Sequence, residues 1–295
     1  MPTQTPRDAE GRQLALLSVH AHPDDEASKG AGTVARYAAE GIRGVLVCCT
    51  GGEAGEILNP AMDTEEVRAN LPDVRLRELD AAAKIIGYDE VVLLGYRDSG
   101  MPGTEANEDP RSFARADLDE AVGRLVAVIR RVRPQVVITY PADQQGYPHP
   151  DHLRVHEITL PAVEAAADAR AYRGAGRPWS VSKVYYSAWS RARVLATHEK
   201  FLELGLESPY DAGWFERPSH DDAITTRVDT SAVLDVRRLA LLAHATQVDP
   251  TSRFWFGLPP EVADLVYPFD DYTLALSRVE SSLPEDDLFA GLRAP

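Results

Sequence analysis

Cysteine is nearly absent from this 295-residue chain, and long apolar runs are missing. The two cysteines, Cys48 and Cys49, are neighbours in one apolar segment, so they cannot form a disulfide framework and are expected to pack in the core. We therefore expect a reducing, cytoplasmic compartment. Because no run of about 18 apolar residues occurs, we expect no membrane-spanning helix, and the polar residues 1–12 lack the apolar core of a signal peptide.

Positive charge is also in short supply. The chain has 31 Lys and Arg residues against 46 Asp and Glu residues, which gives a formal net charge of −15. Nucleic acid and anionic membranes are bound mainly through clustered Lys and Arg side chains. We therefore expect neither as a partner.

Apolar segments of strand length alternate with helical patterns along most of the chain. Strands are predicted at residues 14–22, 44–50, 91–95, 135–140 and 181–189. Helices are predicted at residues 27–40, at 65–87 with a break or restart at Pro72, at 116–133 ending before Pro134, from about Asp151, and at 230–247. Strands that are apolar throughout and separated by helices predict an α/β fold, a Rossmann-like, mostly parallel sheet with helices on both faces. We expect one domain over residues 1–295, with the less regular chain from about residue 190 packed on the sheet as a cap.

The sequence His-Pro-Asp occurs twice in a chain with only eight histidines. The first copy, in "VHAHPDDE", follows predicted strand one, and the second, in "YPHPDH", follows predicted strand four. In the common strand order 3-2-1-4-5, strands one and four are neighbours, so the loops at their carboxyl ends lie side by side. Nitrogen and carboxylate donors suited to a divalent metal meet there: His22, Asp25, His149 and His152.

These donors match the chemistry of a catalytic zinc, which typically has three His or carboxylate ligands and one open position. Two further carboxylates, Asp24 and Asp151, remain for the supporting or general-base duties that hydrolysis requires. The same donor set also suits Fe(II). His20 points to the same side of strand one as His22 but lies further into the sheet, so we expect it to be structural.

Several separated segments resemble one known family. "HAHPDDE" after strand one, "TGGEAGE" after strand two and "HPDH" after strand four look like the zinc-dependent N-deacetylases of the PIG-L/LmbE type. "SKGAGTVARYAAEG", "GYRDSGMP", "WSVSKVYY" and "AHATQVDP" are most similar to the mycothiol S-conjugate amidase branch of that family. The resemblance runs from about residue 16 to the C-terminus. It implies a Rossmann-like hydrolase with one zinc ion at the carboxyl ends of strands one and four.

The resemblance also assigns roles to the metal-site residues. It makes His22, Asp25 and His152 the zinc ligands, and Asp24 the general base that activates the water. These assignments fit the chemistry, because amide hydrolysis needs an activated nucleophile and a Lewis acid on the carbonyl.

Three further residues match catalytic positions of the family. His149 matches the residue that stabilises the oxyanion or protonates the leaving amine, and Asp98 in "RDSG" matches the carboxylate that orients this histidine. Tyr147 matches a tyrosine that polarises the carbonyl or closes the site. One position departs from the family pattern, because Gln145 stands before Gly146 where a glycine is expected, and this leaves the shape of the loop open.

The substrate-binding residues implied by the resemblance are Lys29, Glu56 and Arg75, which match contacts to the sugar–inositol portion. Lys29 distinguishes the amidase branch from the related deacetylase. His244 and Gln247, on one face of the late helix, are further candidates. Each also has a plain structural interpretation: Arg75 as a salt bridge on a helix face, Lys29 as a solvated residue in the first turn of a helix, and His244 as a core histidine.

The resemblance therefore implies a zinc amidase that hydrolyses mycothiol S-conjugates to glucosaminyl-inositol and a mercapturic acid, a detoxification reaction on a thiol–sugar conjugate. The alternative within the family is deacetylation of N-acetylglucosaminyl-inositol or another N-acetyl sugar. A rival from another class is a dinucleotide-binding protein, because "GAGTVA" at residues 30–35 fits G-x-G-x-x-A and Glu53 follows. A second rival is a catalytically silent sugar- or thiol-binding module, against which the presence of a general base, Asp24, argues.

Overall fold

The sheet at the centre of the fold contains seven strands. The computed structural model describes residues 5–144 and 147–294. The strands are β1 Ala15–His20, β2 Arg43–Thr50, β3 Glu90–Tyr96, β4 Val136–Thr139, β5 Lys183–Ala188, β6 Thr226–Asp229 and β7 Phe269–Ser277. Their spatial order is β3-β2-β1-β4-β5-β7-β6.

The first five strands are parallel to one another, and this confirms the predicted order 3-2-1-4-5. β1 lies in the middle, with Leu17 paired to Val45 of β2 on one side and to Val137 of β4 on the other. The carboxyl ends of β1 and β4 are therefore adjacent, at the point where the chain reverses the direction in which it adds strands.

Helices cover both faces of this sheet. In the described residues they are α1 Asp25–Ser28, α2 Ala31–Ala39, α3 Glu65–Ala69, α4 Leu71–Ile86, α5 Glu105–Glu108, α6 Leu118–Val132, α7 Pro150–Ala167, α8 Arg191–Glu203, α9 Ala212–Glu216, α10 Leu234–Ala243, α11 Arg253–Phe256 and α12 Pro260–Val266. Among the residues described, no helix is both long enough and apolar enough to cross a membrane.

One predicted helix is interrupted in the structure, and one predicted helix restart is confirmed. The single helix predicted at residues 27–40 is wrong, because Gly30 adopts a left-handed conformation (φ 97°) that ends α1 and begins α2. The predicted restart at Pro72 is confirmed. α3 ends at Ala69, and Pro72 occupies the first turn of α4, where its missing N–H costs no hydrogen bond.

The two faces of β1 belong to two hydrophobic cores. Leu17 and Val19 pack on one face with apolar residues of α6 and α7, such as Ile129. Leu16 faces the other side, where α2, α4 and α10 contribute residues such as Val34. Burial of both faces explains why these strands are apolar throughout and gives the loops at their carboxyl ends a rigid base.

The chain after residue 190 does more than cover the sheet. β7 pairs antiparallel with β5 and with β6, so this segment extends the sheet by two strands. Neither strand was predicted from the sequence, because β6 is only four residues long and β7 carries Asp270 and Asp271 near its start. Only one of the helices in this region was predicted. α8, α9, α11 and α12 are additional.

A buried ion pair ties the end of the chain to the sheet. Lys183 of β5 contacts the Glu285 carboxylate, and both side chains are fully buried. Glu285 Oε2 also accepts hydrogen bonds from the hydroxyls of Tyr185 (2.5 Å) and Thr226 (3.0 Å). The pair therefore holds the C-terminal segment against β5 and β6.

Replacing Lys183 with methionine is expected to lower the free energy of unfolding by about 3–5 kcal/mol, because the Glu285 carboxylate would remain buried without its cation. Urea unfolding followed by circular dichroism measures this change. Lys200→Met is the matched control, because the exposed pair of Lys200 with Glu203 contributes at most about 0.5 kcal/mol. Equal losses in the two variants would contradict a structural role for the buried pair.

Candidate active site and metal centre

The second His-Pro-Asp sequence forms the N-terminus of α7. His149 is the N-cap residue, and its Nδ1 accepts the N–H of Asp151 at 3.2 Å. Pro150 takes the first helical position, and Asp151 is an acidic residue in the first turn. His152 follows one residue later. Local capping chemistry therefore places both histidines at the carboxyl end of β4, as the sequence predicted.

Three predicted ligands converge between β1 and β4. Asp25 Oδ2 lies 3.5 Å from His22 Nδ1 and 3.3 Å from His152 Nε2. All three side chains are buried, and their donor atoms form one of the groups that could hold a metal ion. The distances are short enough for one ion to contact all three atoms, and two imidazoles with a carboxylate suit zinc or Fe(II).

The other ring nitrogen of His22, Nε2, lies close to two carboxylates. His22 Nε2 lies 3.1 Å from Asp151 Oδ2 and 3.6 Å from Asp98 Oδ1. Asp151 in turn accepts the N–H of Ser99 at 2.9 Å and its hydroxyl. Burial favours a lower pKa for His22, but these carboxylates and Asp25 outweigh it and hold the pKa well above its usual value. Such a carboxylate–histidine pair fixes the ring so that Nδ1 faces the metal position.

Replacing Asp151 with asparagine is expected to weaken metal affinity about 10–100-fold, because the amide is a poorer partner for His22 Nε2. Competition with a chromophoric chelator measures the affinity. Asp109→Asn is the control, since Asp109 pairs with Arg111 outside the cavity. An unchanged affinity in Asp151→Asn would show that Asp151 does not orient the ligand.

The candidate general base, Asp24, is held in an unusual backbone conformation. Its φ of 109° lies in the left-handed region, which costs a residue other than glycine about 1–3 kcal/mol. Arg75 compensates by donating to Asp24 Oδ2 (3.0 Å), to the carbonyl of Pro23 (2.5 Å) and to that of Gly52 (2.7 Å). A Cβ atom at Gly52 would lie 2.1 Å from the guanidinium, which explains the glycine in "TGGEAGE". Burial raises the pKa of Asp24, although Arg75 opposes this.

His244 supports the same loop and does not reach the cavity. Its side chain is fully buried, and its Nε2 lies 2.5 Å from Glu26 Oε1. Glu26 Oε2 accepts the backbone N–H of Asp24 at 3.0 Å. The predicted substrate contact of His244 is therefore not supported. Its position agrees with the structural alternative, a buried histidine that fixes the Asp24 loop through Glu26.

The other predicted catalytic residues surround the same space. Burial and the nearby His22 lower the pKa of His149 to about 4, and the pKa of Asp98 is also lowered, because hydrogen bonding and charge from His22 outweigh its burial. Tyr147 is half exposed, and its ring meets that of His152 edge to face at 5.3 Å. Gln145, the departure from the family pattern, lies outside the described residues.

A cavity of about 660 Å³ opens at the candidate metal ligands, and its volume suits a drug-sized ligand. Lys29 and Gln247 line it, and Lys29 Nζ lies 2.5 Å from Asp25 Oδ1. Arg75 also lines it, but its hydrogen bonds go to Pro23, Asp24 and Gly52. Glu56 is exposed and does not line the cavity, but its backbone carbonyl accepts a hydrogen bond from the Gln247 side chain (3.0 Å). Substrate contacts by Lys29, Glu56, Arg75 and Gln247 stay predictions.

The residues that position the predicted ligands and the Asp24 loop were not predicted from the sequence. Tyr140 stacks on His152 at 4.7 Å, and its hydroxyl lies 2.8 Å from His20 Nδ1, which agrees with the structural role expected for His20. Ser99 holds Asp151, and Glu26 holds the Asp24 loop. A structural role for Glu26 could have been predicted, because an acidic residue that follows "HPDD" in an apolar setting needs a hydrogen-bonding or charged partner.

The glycines of "GAGTVA" are explained by packing. A Cβ atom at Gly30 would lie 2.8 Å from the Tyr272 hydroxyl, and one at Gly32 would lie 2.7 Å from Thr230. The segment also begins ten residues after the end of β1, whereas a dinucleotide fingerprint occupies the turn directly after the strand. The structure therefore gives no support to the dinucleotide-binding alternative.

Comparison with known proteins gives consistent matches. The family model PIG-L, described as GlcNAc-PI de-N-acetylase, matches residues 17–163. The chain is 46% identical over 290 residues to a mycothiol S-conjugate amidase of Streptomyces coelicolor, covering 95% of this chain and 98% of that protein. It is 42% identical over 288 residues to a 1D-myo-inositol 2-acetamido-2-deoxy-alpha-D-glucopyranoside deacetylase of Geodermatophilus obscurus, covering 94% and 97%.

Solved structures agree in fold. The N,N'-diacetylchitobiose deacetylase of Pyrococcus horikoshii, in complex with an inhibitor, superposes with a TM-score of 0.61 at 16% identity, covering 93% of this chain and 87% of that one. At this identity the likeness concerns the fold alone.

Proposed function

The chain belongs to the PIG-L family and is a hydrolase of amide bonds, and from this premise we propose that it is a zinc-dependent amidase of mycothiol S-conjugates. It would release glucosaminyl-inositol and a mercapturic acid. The relative named as the amidase is 46% identical to this chain, and those named as deacetylases reach 42%.

The observation that carries this proposal is the extent of the cavity on both sides of the metal centre. Residues that follow β2 and β3, including Gly55 and Asp98, line one side. Residues that follow β5 and lie within β7, including Trp189 and Tyr272, line the other. Release of acetate needs space for only one methyl group on the acyl side, whereas an S-substituted acylcysteine needs a large chamber there.

The residues present fit a zinc ion. His22 Nδ1, Asp25 Oδ2 and His152 Nε2 would hold it, with Asp151 and Asp98 behind His22. When bound, zinc polarises the amide carbonyl and makes a water molecule more acidic.

Asp24 is the residue placed to accept a proton from the attacking water. Arg75 binds Asp24 Oδ2, so the carboxylate is oriented while Oδ1 receives no hydrogen bond from the described residues. The raised pKa of Asp24 brings it closer to the working pH of a general base. Once protonated, Asp24 can return the proton to the departing amine.

His149 is suited to donate a hydrogen bond to the developing oxyanion. Its Nδ1 accepts the N–H of Asp151, so the proton of the neutral ring resides on Nε2. With a pKa near 4, the ring is neutral at pH 7, and a divalent cation nearby would lower this pKa further. Of the two roles that the resemblance implies, these features favour oxyanion stabilisation.

Product analysis tests the proposal. Zinc-loaded protein is incubated with a bimane S-conjugate of mycothiol, and the products are identified by mass spectrometry. We expect glucosaminyl-inositol and the bimane mercapturic acid, and we expect neither after treatment with a chelator. Intact conjugate in both samples would overturn the proposal. Release of acetate from N-acetylglucosaminyl-inositol alone would favour the deacetylase alternative, which the relatives at 42% identity support.

A further inference from the structure

The strand order gives the cavity two distinct ends. β2 and β3 lie on one side of β1, whereas β5 and β7 lie beyond β4 on the other. Asp98, which follows β3, belongs with His149 to one group of donor atoms near His22. Arg75, one of the residues predicted to contact the sugar–inositol portion, follows β2 and lines this same end, so the proposed binding mode has the leaving amine and its sugar toward β2 and β3. The acyl part must extend toward β5 and β7.

An aromatic wall lies at this β5–β7 end of the cavity. It consists of four side chains that line the cavity: Trp189, Trp214, Phe254 and Trp255. Phe254 is central, with ring centroids 6.3 Å from Trp189, 5.9 Å from Trp214 and 4.8 Å from Trp255. All four rings are partly exposed, so each retains a surface that a ligand can cover.

Three arginines contact rings of the wall. The guanidinium groups of Arg193 and Arg237 lie 5.4 Å and 5.1 Å from the Trp189 ring, and that of Arg217 lies 4.2 Å from the Trp214 ring. Such cation–π contacts hold an indole in place before a ligand arrives. The wall contains three of the four tryptophans of the chain. Such clustering of large aromatic side chains favours a binding role over a role as ordinary protein surface.

We propose that the aromatic wall is the subsite for the group carried on the sulfur of the conjugate, and that it selects planar aromatic substituents over small aliphatic ones. This inference rests on the proposed amidase function. Aromatic rings gain from offset or edge-to-face contacts with other rings in addition to the burial of apolar area. A methyl substituent would reach none of these contacts, so the preference is for the shape and electronic character of a ring.

The test compares two conjugates that differ only in the substituent on sulfur, S-benzyl and S-methyl mycothiol. The ratio of their kcat/KM values is measured for the zinc-loaded wild-type protein, for Trp214→Ala and for Phe215→Ala. Phe215 is the matched control, since it is the next residue of α9 but packs against His198 (4.9 Å) and does not line the cavity. We expect a wild-type ratio above about ten, a roughly tenfold lower ratio in Trp214→Ala, and a wild-type ratio in Phe215→Ala.

A second measurement separates this inference from the proposed function. Binding of N-acetyl-S-benzyl-cysteine is followed by quenching of tryptophan fluorescence, which requires no turnover. If no conjugate is cleaved but this compound binds and Trp214→Ala weakens it about tenfold relative to Phe215→Ala, the amidase proposal fails and the subsite stands. If conjugates are cleaved with the same S-benzyl to S-methyl ratio in wild type and Trp214→Ala, the subsite is overturned and the amidase stands.

Discussion

Replacing Asp24 with asparagine is expected to leave a folded protein that binds its metal normally and has lost about a thousandfold of its kcat. An amide cannot accept the proton of the attacking water, so the chemical step loses its base. The ligands are spared, because Asp24 lies beside Asp25 but is not one of the three donors that converge on the metal position. Asparagine has nearly the same shape as aspartate and can still accept the hydrogen bond of Arg75.

Two readouts are needed for this variant, kcat on the S-conjugate and metal content by elemental analysis. Asp73→Asn, an exposed change in the first turn of α4, is the control and should match the wild type in both. Near wild-type turnover in Asp24→Asn would show that another group is the base. Loss of metal together with activity would instead show that Asp24 belongs to the ligand set.

Replacing His152 with alanine is expected to remove both metal and activity. His152 Nε2 is one of only two imidazole donors in the converging set, and Asp25 and His22 alone do not complete a catalytic zinc site. The affinity for zinc should fall by more than the roughly 100-fold that loss of an outer partner such as Asp151 costs. Activity measured without added metal should fall to the level of chelator-treated wild type.

His156→Ala is the matched control for this prediction. His156 lies one turn further along α7, bonds the carbonyl of Tyr140 at 3.0 Å and does not line the cavity. Its removal should change neither zinc affinity nor kcat by more than about twofold. If His152→Ala retained stoichiometric zinc while His156→Ala lost it, the ligand set would have to be reassigned.

The grouping of His22, Asp25 and His152 could be predicted from the sequence because it depends on few and local features. Uniformly apolar strands fix a parallel sheet, the sheet order brings β1 beside β4, and helix capping places His149 and His152 at the strand end. The histidine and aspartate residues at these two positions are then near one another whatever the rest of the chain does.

The supporting residues could not be predicted in the same way, because their partners are distant in sequence. Arg75 was predicted to be a substrate contact or a salt bridge on a helix face, and its buried hydrogen bond to Asp24, which comes from a different element, could not be read from the sequence. His244 and Glu26 are 218 positions apart, and their contact depends on how α10 packs against α1 and α4. No periodicity within α10 reveals that pairing.

The C-terminal third was the least predictable part of the fold. β7 carries two aspartates near its start whose partners come from other parts of the chain: Asp270 accepts from Thr33 of α2, and Asp271 accepts from Ser190. Such residues hide a strand from a search for apolar runs. The aromatic wall was missed for a related reason, because its members come from the residue after β5, from α9 and from α11 and share no sequence spacing.

The most direct measurement for the central claim is a comparison of rates on one zinc-loaded preparation. One substrate is the bimane S-conjugate of mycothiol, and the other is N-acetylglucosaminyl-inositol, each run beside a chelator-treated sample. We predict faster cleavage of the conjugate, because the acyl side of the cavity is large and aromatic. Faster release of acetate would contradict the amidase assignment, and rates no higher than the chelator control on both substrates would contradict the account of the metal centre for these amides.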